Sequence, residues 1–172
     1  YDGKFETFDQ RAVRLASNAK SRQDAAKKKA FEWISEKIRS EGLDADNIII
    51  VPLTEKESLK VSPNITGLIA MELAKEFNKP CLVLRDTEYH DERVFGGSGR
   101  NGEFKDFDNL LNFLHESNVY YAEGHANAFG AFLTSEDIEN VRRRANDLID
   151  PHIFDDTTYE VDYWFHTGEK ID

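Results

Sequence analysis

The chain has one cysteine, Cys81, among its 172 residues. No internal disulfide framework can form, and the expected setting is a reducing, cytoplasmic compartment. No apolar run approaches the roughly 18 residues of a membrane span, and no charged-then-apolar leader opens the chain, so a membrane is not an expected partner. Basic residues are outnumbered, 22 Lys and Arg against 33 Asp and Glu, for a net charge of -11. This excludes a protein that coats nucleic acid by bulk electrostatics, though not one with a narrow basic groove. Internal repeats and low-complexity linkers are absent. Metal-ligand patterns are also missing. Asp44 and Asp46 have no third or fourth ligand at useful spacing, and the adjacent His90, Asp91 and Glu92 cannot all face one ion from a strand. No metal site is expected in this chain.

What is present is a soluble-domain composition, 40% hydrophobic with a mean hydropathy of -0.62, enough for one core. Ala26, Ala30, Ile34 and Ile38 recur at helical spacing, with Phe31 beside them, and predict a helix over residues 22–41 that Gly42 stops. Residues 1–20 have no clear period and predict an irregular or partly helical arm. Residues 47–53 form a short apolar run, the mark of a strand buried on both faces. Ser62-Pro63 opens a second helix, with Ile65, Leu68, Ile69, Leu73 and Phe77 on one face. Residues 80–85 read as a strand that buries Cys81. Residues 86–91 read as a turn and 92–98 as the antiparallel partner. Phe107, Leu110, Leu111 and Leu114 predict a short helix, and residues 128–133 a strand. Thr134 or Ser135 caps a last helix carrying Ile138, Val141, Ala145, Leu148 and Ile149. Residues 157–165 alternate like an edge strand. Lys27-Lys28-Lys29 and Arg142-Arg143-Arg144 spread around their helices and read as solvated surface. The fold class is α/β (α+β): a mixed sheet of four to five strands packed with helices, preceded by a connector helix.

Two small-residue stretches carry the chemical signal. Gly96-Gly97-Ser98-Gly99-Arg100-Asn101 combines little bulk with a hydroxyl, a guanidinium and an amide. Arginine's planar fork suits phosphate oxygens, and a glycine-rich backbone offers N–H groups to the same anion. Residues 121–130, Tyr-Ala-Glu-Gly-His-Ala-Asn-Ala-Phe-Gly, let a large ligand approach while His125 supplies a ring nitrogen. Together they point to a phosphate-bearing ligand.

Read in order, the middle of the chain resembles the C-terminal DHH-associated domain of the DHH phosphoesterases, especially RecJ-like exonucleases. The matching pieces are residues 62–70, Ser-Pro-Asn-Ile-Thr-Gly-Leu-Ile-Ala, and residues 79–84, Lys-Pro-Cys-Leu-Val-Leu, followed by Gly97-Ser98-Gly99-Arg100-Asn101 and Gly124-His125-Ala126-Asn127-Ala128-Phe129-Gly130. The last two are similar to the family's Gly-Ser-x-Arg-Ser segment and its Gly-Gly-His-x-x-Ala-Gly signature. The resemblance spans roughly residues 22–150. It implies an arm at 1–21 belonging to an upstream domain, a connector over 22–46, the substrate-binding domain over 47–150, and the start of a further segment over 151–172. Tyr1 in place of an initiating methionine agrees with that expectation. The resemblance implies that Ser98 and Arg100 hold a phosphate and that His125 reaches the nucleic acid near the metals, as a candidate catalytic residue. Gly124, Asn101 and Asn127 complete the candidate substrate-binding set.

The chain departs from the family at two signature positions, with Glu123 for the first glycine and Phe129 for alanine. A carboxylate beside His125 bears on its pKa and on phosphate binding. The sequence also contains no Asp-His-His and no aspartate-rich motif. The resemblance therefore places Mn2+ or Mg2+, and the hydrolysis they drive, on an absent DHH domain, and this chain by itself is expected to be inactive. The expected partners are that domain and single-stranded nucleic acid. The alternatives are a domain acting on oligoribonucleotides or cyclic dinucleotides, a non-catalytic nucleic-acid-binding module like the related domain of alanyl-tRNA synthetases, and a structural domain.

Overall fold

The structure is a computed structural model, which describes residues 8–102 and 109–154. Helix α1 runs Phe8–Glu41, followed by β1 (Ile49–Leu53), α2 (Glu55–Ser58), α3 (Thr66–Phe77), β2 (Cys81–Tyr89), β3 (Glu92–Arg100), α4 (Leu110–Glu116), β4 (Tyr121–His125), β5 (Ala128–Leu133) and α5 (Ser135–Leu148). The five strands form one sheet in the order β1-β2-β3-β5-β4. β1 and β2 are parallel, joined through α2 and α3, and the other pairs are antiparallel. The expected class, a mixed sheet packed with helices, is what the chain forms.

Two cores lie on opposite faces of this sheet. Strand alternation sends Ile49, Val51, Leu53, Cys81 and Val83 to one face, where Ala30, Ile34 and Ile38 of α1 and Ile69, Ala70 and Leu73 of α3 cover them. Ile50, Leu82, Leu84, Phe129, Ala131 and Leu133 go to the other, under Leu110, Leu111 and Leu114 of α4 and Ile138, Val141 and Ala145 of α5. Thr134 caps α5 as expected: its hydroxyl accepts from the Asp137 N–H at 3.1 Å, and the Asp137 carboxylate accepts from the Thr134 N–H at 2.8 Å.

Several expectations need correction. α1 begins at Phe8, and no break falls near residue 22. Residues 8–41 contain no glycine or proline and are rich in strong helix formers, so the helix runs on where its apolar period has ended, leaving Val13 and Leu15 exposed. Residues 86–89 belong to β2, and the turn is only His90-Asp91, with φ of 49° and 61°. Those positive angles match the twist of a two-residue hairpin. The polar character of 86–89 marks a strand leaving the core, not a loop. The arginine run is not all solvated: Arg142 donates to the Ile50 carbonyl at 2.7 Å, and Arg144 stacks on Phe113 while bonding Glu116. Phe107 and the strand expected over 157–165 lie outside the described residues.

Among the described residues, no helix is long and apolar enough to cross a membrane. Cys81 is fully buried, and burial pushes its thiol pKa up. We predict that Cys81 stays unreactive to a thiol-specific reagent at neutral pH and labels only on global unfolding. Rapid labelling in native buffer would show that the α1–α3 layer opens locally.

Candidate phosphate and nucleic-acid interface

The glycine-rich stretch whose backbone N–H groups were expected to meet an anion is the end of β3, the strand expected over 92–98, here a central strand paired on both sides. Its N–H groups lie in the sheet plane between β2 and β5, so they are not offered to a ligand above the face. The glycines answer packing instead. A Cβ at Gly99 would overlap the Phe129 ring, one at Gly96 the Phe132 ring, and one at Gly97 the Val83 carbonyl. Phosphate recognition here must come from side chains.

Two of those side chains meet the start of α3. Ser98 Oγ and Thr66 Oγ1 are 3.0 Å apart, and Thr66 also donates to the Pro63 carbonyl at 2.9 Å. Arg100 lies against Gly67, where a Cβ would overlap its Nη2 and stand 3.4 Å from Ser98 Oγ. The missing side chain of Gly67 is what lets the guanidinium settle on the first turn of the helix. That turn is the positive end of the α3 dipole. The site thus gathers a cation, two hydroxyls and a helix N-terminus.

Arg100 is partly buried, and its Nη1 donates to the Gly99 carbonyl at 2.7 Å. Burial lowers its pKa, with no acidic contribution opposing the shift, and no described carboxylate pairs with it. Arg39, Arg93, Arg142 and Arg144, by contrast, each meet an acid. A guanidinium with donors to spare, desolvated beside hydroxyls, is suited to a phosphate dianion or diester.

Strand register extends the site across the sheet. Paired residues in antiparallel strands point to the same side, which places three rows on the face that carries α3. Arg100, Ala128 and His125 form the first, Ser98, Gly130 and Glu123 the second, and Gly96, Phe132 and Tyr121 the third. His125 and Glu123 are exposed at the β4 edge. The Glu123 carboxylate accepts from the Tyr121 hydroxyl at 2.6 Å, which holds the Tyr121 pKa above its ordinary value. Tyr89 stacks on Phe132 with ring centroids 4.2 Å apart. A hollow of about 290 Å³ opens between Ser98, Pro63, Thr66, Arg85 and Phe132. A larger one, about 560 Å³, lies near α5, but its walls include Glu136, Asp137 and Glu139 against one Arg143, which disfavours phosphate.

Of the residues singled out from sequence, Ser98 and Arg100 come together, and His125 lies two strands away from them, across β5, on the same face. Gly124 serves the backbone: its φ is 146°, and a Cβ there would crowd Phe129. Asn127 is exposed in the two-residue turn between β4 and β5, its carbonyl accepting from the Asn101 N–H at 3.3 Å. Asn101 is 1% exposed and spent internally: Oδ1 accepts from Leu110 N at 3.0 Å, and Nδ2 donates to Gly102. It anchors α4 and leaves the ligand set. Thr66 and the aromatics Tyr89, Tyr121 and Phe132 were missed. The period-2 runs Tyr121, Glu123, His125 and Ala128, Gly130, Phe132 carried the signal for two of them. The two departures from the family signature separate cleanly, with Phe129 in the core under α4 and α5 and Glu123 on the open face. Among the described residues no group of His, Cys, Asp and Glu side chains is arranged to hold a metal.

The geometry defines an α/β domain that keeps part of one sheet face open beside a desolvated, unpaired guanidinium, a half-cleft for an anionic ligand. No family model matches the chain. It is 27% identical over 154 residues to a Bacillus subtilis strain 168 protein named as the SPbeta prophage-derived single-strand DNA-specific exonuclease YorK, with the same figures for its counterpart in Bacillus phage SPbeta. It is 29% identical over 133 residues to the single-stranded-DNA-specific exonuclease RecJ of B. subtilis. These alignments take in 88% and 76% of this chain but only 26% and 15% of the relatives, so the chain spans about a quarter of their length or less. Among solved structures, RecJ from Thermus thermophilus in complex with Mn2+ matches with a TM-score of 0.58 at 17% identity, over 84% of this chain and 21% of that one. A manganese-bound exonuclease RecJ matches with a TM-score of 0.55 over 83% and 34%. In sequence and in fold the chain is similar to part of these RecJ-like exonucleases.

Gly67→Ala should leave stability unchanged or raise it by up to about 1 kcal/mol, because alanine favours the helix. It should also weaken inorganic pyrophosphate binding roughly tenfold by displacing Arg100. Calorimetric binding and thermal unfolding of the same sample check both. Unaltered affinity would detach the guanidinium from anion recognition.

Proposed function

We propose that this chain is the substrate-gripping, DHH-associated domain of a RecJ-like, metal-dependent single-stranded-DNA exonuclease. Its role is to hold a phosphate of the strand at Ser98, Thr66 and Arg100 while the strand crosses the open sheet face past His125. The observation that carries this reading is Arg100, partly desolvated on Gly67 with no described carboxylate beside it. A partly desolvated cation without a fixed anion favours a ligand that supplies one. The names of the relatives support single-stranded DNA as that ligand.

The described residues offer no donor set for Mn2+ or Mg2+, so we assign metal-driven phosphodiester hydrolysis to the DHH domain of the longer protein. This chain contributes binding and orientation, which bring the phosphodiester into reach of that domain's metals. Helix α1, Phe8–Glu41, then forms one continuous link toward it. The exposed apolar residues Val13 and Leu15 fit such a junction. A reducing cytoplasm is the compartment this reading implies. The net charge of -11 is compatible with it because the grip is local: acids dominate the hollow near α5, while the described face of β3 displays Ser98 and Arg100.

Titration with 5′-phosphorylated and unphosphorylated single-stranded DNA tests the proposal. The phosphorylated strand should bind more tightly, and Arg100→Ala should remove that advantage and lower the salt slope by about 1. Equal loss for both strands would argue against an end-phosphate role and leave Arg100 as a backbone contact. In the full-length protein, His125→Ala should reduce turnover while this domain keeps its unfolding transition. Undiminished turnover would make the β4–β5 hairpin architecture only.

A further inference from the structure

Glu123 is the feature of the open face that phosphate binding does not explain, since a carboxylate there repels the backbone of a nucleic acid. Its surroundings show what it faces. It shares a row with Gly130 and Ser98, so it stands two strand spacings, roughly 10 Å, from the hydroxyl that flanks Arg100. A single nucleotide covers such a span from its phosphate to the far edge of its base. Between them Gly130 is exposed, and a Cβ there would meet nothing closer than the Gly97 carbonyl at 3.7 Å. Packing does not require glycine at that position, and its missing side chain leaves a flat floor there.

The next row supplies a stacking wall. Phe132 and Tyr121 face each other across β5 and β4 with centroids 5.7 Å apart, and Tyr89 lies stacked on Phe132. Aromatic side chains beside a phosphate grip accept bases of single strands through their π-faces. The Tyr121 hydroxyl, donating to Glu123 Oε2 at 2.6 Å, holds the carboxylate in place and leaves its other lone pairs for a ligand.

We propose that Glu123 is a base-specificity determinant: with the nucleotide's phosphate at Ser98 and Arg100, its base lies over Gly130 against Phe132 and Tyr121, and the Glu123 carboxylate accepts from an exocyclic amino group. Cytosine, adenine and guanine carry such an amino group, whereas thymine has none, and its single N3–H donor lies between two carbonyl oxygens that a carboxylate repels. The domain therefore disfavours thymine at this position. The inference rests on the phosphate cradle of the proposed function and adds to it a base preference set by the residue that replaces glycine in the family signature.

Short 5′-phosphorylated oligo(dC) and oligo(dT) are the probes, since the two pyrimidines stack similarly and the ratio of their affinities isolates the edge contact. The full chain should bind oligo(dC) roughly five- to tenfold more tightly than oligo(dT). Glu123→Gln, whose amide both donates and accepts, should bring the ratio near one, and so should Glu123→Gly, which should also raise affinity for oligo(dT). Tyr121→Phe should weaken the preference without abolishing it. Equal affinity for the two strands in the unaltered chain, or a preference that survives Glu123→Gly, overturns the inference while Arg100-dependent binding leaves the phosphate cradle standing. Absence of any Arg100-dependent binding overturns the cradle and this inference together.

Discussion

A strand repeats its side-chain direction every second residue, so all that the open face displays depends on the register of β3 between β2 and β5. Ser98 opposite Gly130 and Arg100 opposite Ala128 put the hydroxyl and the guanidinium on the face that carries α3. A slip of one residue would turn Gly97 and Gly99 outward and push Ser98 and Arg100 into the core beneath α4 and α5, against the Phe129 ring. The register is held by what such a slip would destroy. The Phe129 ring occupies the place of a Gly99 side chain, and the Phe132 ring that of Gly96. Burying Phe129 fully, at 4% exposure, contributes about 2–3 kcal/mol, and a buried Arg100 without a partner would cost more than that.

The same register explains how an acidic protein presents a guanidinium with no described carboxylate beside it. Several carboxylates on the described surface are engaged elsewhere, as Glu72 is with Lys27, Asp86 with Arg93 and Asp137 with Thr134. Arg100 is set apart from them by one strand on either side and by the start of α3 above. Electrostatic attraction over such a small site depends on nearby charge more than on the total, because salt screens distant groups within roughly 10 Å. Net charge bounded the classes of partner without deciding what a single sheltered cation could hold.

Much of the fold was legible in the sequence. Ile34 and Ile38, Ile69 and Leu73, and Val141 and Ala145 lie at helical spacing in segments long enough to be unambiguous, and all six are buried. The apolar runs around Ile49 and Cys81 marked doubly covered strands. Errors fell where local chemistry supports two readings. Polar residues 86–89 suit a turn as well as a strand leaving the core, and the small size of Gly96, Gly97 and Gly99 suits the approach of an anion to the backbone as well as crowding by rings from neighbouring strands. Choosing between those readings needs Phe129 and Phe132, some thirty residues downstream and invisible to any local window.

The candidate site divides in the same way. Residue type alone determined that Ser98, Arg100 and His125 were the groups with chemistry to offer, since a guanidinium, a hydroxyl and an imidazole are what they are in any fold. That Asn101 would be consumed by the start of α4, that Thr66 and Gly67 would meet Ser98 and Arg100, and that Glu123 would pair with Gly130 beside an aromatic wall were decided by tertiary structure. The reason is physical. A side chain carries its chemistry wherever it goes, but its neighbours, its burial and the direction it points are set by pairing between strands far apart in the chain, and only the folded sheet makes that choice.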